Sequence, residues 1–311
     1  MAVSPQTALP ETFGIWGPPG ANKARRSRPE PRSQPWGLGE VAAGFVALLV
    51  AQVLLTVAFA TVAARRISLD GSPEQLSLLV EETLSLALGG PGLVVGLLTQ
   101  WAAFLGAALY ASYRKGRRSL GLDFGLRFRW PTDLLLGLGL AVVLQVVLLV
   151  LNVALAARGV DVSAADNTGL ITSNGGMLLV LLIAGAVVGA PLVEELFFRG
   201  LFLRALLRRL AKVDLADPHQ SADPEHTRRR TVGTALSILL TAVVFGALHA
   251  PFSGSGNSVP IEATLLLGAQ TGLLGLVFAV VAVRVRRIGP TVVAHVSFNA
   301  ISIALALLSL V

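Results

Sequence analysis

Cysteine is missing from all 311 residues. That excludes disulfides and thiolate metal sites, although it says little about compartment. Charge is scarce: Asp, Glu, Lys and Arg together make up 14% of the chain, where a soluble domain carries about 25%. Lysine is scarcer still, confined to Lys23, Lys115 and Lys212, and this bias against many arginines and alanines suggests a GC-rich bacterial genome. Several catalytic patterns are absent as well. There is no H-E-x-x-H, so the helix that holds zinc in many proteases is excluded. No apolar run carries the G-x-S-G of a serine intramembrane hydrolase. None carries the G-x-G-D of an aspartyl one, and Asp133 stands at a predicted helix start.

What the chain has in abundance is hydrophobic residues, 54% of the total. Runs long enough to cross about 30 Å of hydrocarbon recur along it. Seven are read, at 41–63, 91–113, 133–157, 177–203, 231–250, 264–283 and 290–310. The expected fold is therefore all-α, a polytopic integral membrane protein with about seven transmembrane helices. The stretch 74–88 (EQLSLLVEETLSLAL) is amphipathic and too acidic to span, which assigns it to the interface or to a short lid. Residues 1–35 are rich in Pro, Gly, Ser and Arg and cannot bury enough apolar surface to fold, so they read as a disordered tail. No signal peptide is expected, because the first apolar run starts past residue 40 and continues for a full span.

The net charge of +7 follows a membrane pattern and does not imply nucleic-acid binding. Basic clusters fall at 23–32, 114–129, 204–230 and 284–287, whereas the intervening loops at 67–90, 159–175 and 251–263 are acidic. Basic loops face the cytoplasm. This alternation predicts a cytoplasmic N-terminus and, after seven spans, a C-terminus on the opposite side. The hydrophilic stretch 211–230 contains His219 and His226, but their spacing matches no closed metal site. Pro218 and Pro224 keep the stretch irregular, so it reads as a solvated loop.

Glu194 and Glu195 stand side by side in the apolar run AVVGAPLVEELFFRGLFL, with Arg199 following. A charge at bilayer depth costs about 2.5–3.5 kcal/mol on insertion scales, so a chain that keeps three of them there has a use for them. Glu195 and Arg199 share a helical face in the favourable acid-first order. Glu194 is rotated about 100° from its neighbour and can face a cavity. That division makes Glu194 a working base and Glu195 a structural partner of Arg199. His249 ends an apolar run one turn after Phe245, and His295 lies one turn before Asn299 in the last run. A carboxylate and an imidazole converging on one water can remove its proton. A second imidazole and a carboxamide can stabilise the oxyanion that forms. The residues alone leave open whether this set is a hydrolytic site or a structural ion-pair cluster, and a proton relay is a third use of such groups.

E-E-x-x-x-R at Glu194, Glu195 and Arg199, F-x-x-x-H at Phe245 and His249, and H-x-x-x-N at His295 and Asn299 occur in that order, each on its own apolar run. Together they resemble the CPBP family, which contains the CAAX prenyl protease 2 type of intramembrane endopeptidase and its bacterial Abi relatives. The resemblance covers residues 170–311, leaving 36–169 as an N-terminal transmembrane region without a motif. It implies that Glu194 and His249 activate water, that His295 and Asn299 form the oxyanion site, and that Glu195, Arg199 and Phe245 support them. It also implies a membrane-associated peptide or protein as substrate, and a location in the bacterial plasma membrane. Other members resemble self-immunity proteins or membrane scaffolds, which is the alternative function. No metal is expected, although Glu194, His249 and His295 could bind Zn²⁺ with an open position. Depth counting places Glu194 in the inner half of its span, His249 towards the outer side and His295 near the inner side. Convergence therefore calls for tilted, extended or broken helices, and Gly246, Pro251 and the stretch FSGSGNSVP permit a break.

Overall fold

The structure is a computed structural model, which describes residues 36–67, 72–162, 168–216, 227–250 and 261–309. The 1–35 tail, His219, His226 and the stretch from Pro251 to Pro260 lie outside the described residues.

Every regular element among the described residues is helical, and seven helices are long and apolar enough to cross a membrane. The main helices are α1 (Leu38–Arg66), α2 (Pro73–Leu88), α3 (Gly90–Lys115), α4 (Thr132–Ala156), α5 (Gly176–Ala211), α6 (Thr227–His249), α7 (Ile261–Val285) and α8 (Gly289–Leu308). The chain is an integral membrane protein. Aliphatic side chains cover the outside of α1 and α4, as a lipid-facing surface requires; Leu49, Leu54, Leu135, Leu149 and Val150 are all more than half exposed. The amphipathic segment α2 is helical, starts at an Ser72 cap, and packs against α1 and α3.

The interior gathers around α5. Phe197 and Phe198 pack with Phe45 of α1 and Phe104 of α3, and Phe104 stacks on Phe197 at 4.0 Å between centroids. α6 pairs with α7, α8 pairs with α4, and α8 also touches α5. On the basic side, Arg287 in the turn between α7 and α8 holds both carboxylate oxygens of Asp133 at 3.0 Å. This ties α8 to the start of α4.

α5 is not a plain α-helix. It widens to π geometry at Gly185–Gly189, Glu195–Phe202 and Leu207–Ala211. Pro191 supplies a reason for the first of these. It has no N–H, and its ring crowds the carbonyl four residues earlier. The chain upstream re-pairs at longer spacing, with Ala190 N–H donating to the Gly185 carbonyl.

α5 also runs eight residues past the span expected from the sequence, to Ala211. This resolves the question of depth. Gly233 of α6 lies against Leu210 and Ala211. Glu194 is 17 residues along α5 from Ala211 and His249 16 residues along α6 from Gly233, so the two reach a similar level, as their 3.6 Å approach requires. Arg204 donates to the Arg286 carbonyl at 3.1 Å. From that level Glu194 is about 15 Å along α5 and His295 about 13 Å along the chain into α8. α5 and α6 overshoot the α7–α8 turn on the basic side, and counting from a common plane misplaces them. The break considered at Gly246 is not there, since α6 is continuous to His249. Gly246 has a different use: a Cβ there would lie 2.3 Å from the Gly268 carbonyl oxygen, so glycine permits close contact of α6 with α7.

Candidate active site

Three helices, α5, α6 and α8, carry the singled-out residues. Glu194 and Glu195 sit at the junction between an α segment of α5 and its second π segment, with 5% and 0% of their surface exposed. Glu195 Oε1 accepts from Arg199 Nη1 at 2.8 Å, which makes the expected i,i+4 pair. The arginine is fully buried and gives Nη2 to the Gly275 carbonyl at 3.3 Å. Its guanidinium lies 4.3 Å from the Phe245 ring centroid and 5.4 Å from that of Phe278. Aromatic faces attract a desolvated cation by about 2 kcal/mol. A fully buried charge pair is thus supported by a carbonyl and aromatic rings.

Two imidazoles face Glu194. His249 Nδ1 lies 2.8 Å from the Phe245 carbonyl oxygen. A carbonyl can only accept, so Nδ1 carries the proton and the neutral ring presents a bare Nε2. That nitrogen stands 3.6 Å from Glu194 Oε2. His295 follows the same logic. Its Nδ1 is 3.1 Å from Glu195 Oε1, which already accepts from Arg199, so Nδ1 donates here too. His295 Nε2 then lies 3.9 Å from Glu194 Oε2. One carboxylate oxygen therefore faces two ring nitrogens whose tautomers are set from behind. The separations are too long for direct hydrogen bonds. They suit a small molecule that donates to two acceptors at once.

Phe245 stands where the sequence suggests, one turn before His249, with ring centroids 4.4 Å apart. It acts through its carbonyl on His249 and through its ring on Arg199. Asn299 makes a different contact: its Nδ2 donates to the Ala186 carbonyl at 2.8 Å. Ala186 lies in the first π segment, where the nitrogen five residues on belongs to Pro191 and has no hydrogen. Asn299 thus satisfies a carbonyl that the proline leaves without a π-type partner, and a second amide hydrogen remains for other use.

One further side chain faces Glu194. Gln100, on α3, directs Nε2 at Glu194 Oε1 from 3.5 Å. It belongs to no motif, and the only signal was an isolated carboxamide inside the apolar run LLTQWAAF.

Glu194, His249 and His295 are donor types that zinc accepts. Among the described residues, however, no group of three His, Asp or Glu side chains is arranged to hold a metal ion.

Residues 176–301 match the family model described as Type II CAAX prenyl endopeptidase Rce1-like. The match supports the resemblance of the motifs to the CPBP family. The matched region encloses Glu194, Glu195, Arg199, Phe245, His249, His295 and Asn299, and it excludes Gln100, which approaches Glu194 from α3. No curated protein and no solved structure matches the chain.

Proposed function

We propose that the chain is an intramembrane endopeptidase that hydrolyses peptide bonds of membrane-associated peptides or proteins. The observation that carries this reading is the opposition of two acceptors, Glu194 Oε2 and the bare His249 Nε2, at 3.6 Å. A water donating to both is oriented by the imidazole and loses a proton to the carboxylate as its oxygen attacks the amide carbonyl. The proton passes to the amide nitrogen when the C–N bond breaks. Asn299, through its second amide hydrogen, and His295, through Nε2 when that atom carries a proton, stabilise the oxyanion. Glu195, Arg199 and Phe245 position these groups. Residues 170–311 form the catalytic core in this reading, and 36–169 flank it. The distribution of basic loops supports a cytoplasmic N-terminus, and the composition supports a bacterial plasma membrane.

The test compares purified wild type with Glu194→Gln in detergent, using quenched peptides carried on a membrane anchor. Cleavage by wild type and none by an equally folded Glu194→Gln is expected. Equal cleavage by both removes Glu194 from the reaction. A folded wild type that cleaves nothing across a broad library favours a scaffold or self-immunity role. Full activity in a strong chelator is the further expectation, and a loss reversed by Zn²⁺ would overturn the metal-free mechanism.

A further inference from the structure

The basic side of the molecule contains a second built feature, a cavity of about 280 Å³ between the α3–α4 connection and the α7–α8 turn. Five arginines line it: Arg127, Arg129, Arg204, Arg286 and Arg287. The acids nearby are already engaged. Asp133 takes Arg287 Nε on both oxygens at 3.0 Å and the Arg129 N–H at 2.9 Å. Asp214 Oδ1 accepts the Ala216 N–H at 2.8 Å. Arg286 is fixed by the carbonyls of Leu215 and Asp214, each at 3.1 Å.

Arg204 is the informative member. Only 4% of its surface is exposed, yet it lines the cavity. Its Nη2 donates to the Arg286 carbonyl, which satisfies a donor without neutralising the charge. Its Nε–H is buried with no hydrogen-bond partner among the described residues. A buried guanidinium with an unused donor is an expensive arrangement unless something else completes it. The wall opposite is built for close approach. Gly125 has φ +72, and a Cβ there would lie 2.2 Å from Arg204 Nη2. The Gly125 carbonyl also accepts from Ile288 N–H at 2.8 Å, fixing the connection to the turn. Arg127 and Arg129 are exposed at the mouth. The cavity therefore offers one buried guanidinium alongside two exposed ones.

We propose that this cavity binds a phosphate group, presented by an anionic lipid headgroup or by a free anion. Guanidinium forks match phosphate oxygens in pairs. Basic pockets between helices on the cytoplasmic side of a membrane are suited to anionic headgroups. Arg204 lies about 15 Å along α5 from Glu194, so the site is separate from the hydrolytic one.

The experiment measures thermal melting of the full chain in neutral detergent, titrated with dioleoyl phosphatidylglycerol, dioleoyl phosphatidylcholine or sodium phosphate. Wild type is compared with Arg127→Gln/Arg129→Gln, whose exposed side chains are not needed for packing, and with Arg204→Gln. Saturable stabilisation by phosphatidylglycerol but not phosphatidylcholine is expected. The double variant should bind about 25-fold more weakly, roughly fivefold per arginine. Stabilisation by sodium phosphate with the same dependence on the arginines supports the site and assigns its ligand to a free anion. Stabilisation by neither phosphate source, or the same affinity in the double variant as in wild type, overturns the proposal. Arg204→Gln, if it folds as judged by its melting in phosphatidylcholine, should lose the stabilisation outright. Retention of it there also overturns the assignment.

Discussion

Glu195 Oε1 accepts two hydrogen bonds, from Arg199 at 2.8 Å and His295 at 3.1 Å, and both Glu195 and Arg199 are fully buried. Removing that charge leaves a buried guanidinium uncompensated, which costs about 3–5 kcal/mol. Glu195→Gln should therefore lower the melting temperature and folded yield together with activity, whereas Glu194→Gln should affect activity alone. Gln100 makes a more modest contribution. Its hydrogen bond to Glu194 is long, and a bond to a charged group contributes about 1.5–3 kcal/mol at ordinary length. Gln100→Ala should reduce kcat about tenfold with the melting temperature unchanged, and a larger drop in melting than in kcat would make the residue merely structural. The ion pair was legible in the sequence because i,i+4 spacing is a local property. Gln100 was not, because its partner lies 94 residues away and no spacing rule connects them.

At the level of elements, α5 carries both acids and is shaped by its proline. Asn299 closes the Ala186 carbonyl that Pro191 leaves open, so it joins α8 to α5 whatever else it does. Asn299→Ala should lower stability by about 1 kcal/mol through that lost bond. If the second amide hydrogen stabilises the oxyanion, kcat falls by about 10²–10³-fold as well. A melting shift with kcat intact would confine Asn299 to the helix contact. The α6–α7 contact makes a parallel prediction. Gly246→Ala places a methyl 2.3 Å from a backbone oxygen, and overpacking of this kind costs about 1–3 kcal/mol. It should push α6 away and move His249 from Glu194, so activity and melting temperature should fall together. The spans themselves were readable from hydrophobic runs. Their relative heights were not, since α5 and α6 extend beyond the α7–α8 turn through contacts such as Gly233 against Leu210 that no single run encodes.

For the whole molecule, the alternation of basic and acidic loops predicts sidedness, and the absence of cysteine makes it simple to check. Arg118→Cys and Arg209→Cys should be shielded from a membrane-impermeant thiol reagent in intact cells, while Arg158→Cys on the other side should react. The reverse pattern would invert the topology and place the arginine-lined cavity on the outer face. The all-helical membrane architecture and the ordered set of motifs are both legible in the sequence. The convergence of α3, α5, α6 and α8 on one carboxylate was not, because it depends on helix packing across the chain.

The central claim is that Glu194 and His249 act on the same water, and a double-mutant cycle tests it most directly. Turnover of one membrane-anchored peptide would be measured for wild type, Glu194→Gln, His249→Ala and the combination, each confirmed folded. Groups that work as a unit are strongly non-additive in this measurement. The combined variant should be little slower than the slower single variant. Penalties that multiply would show that the two residues act independently, and would contradict the shared water.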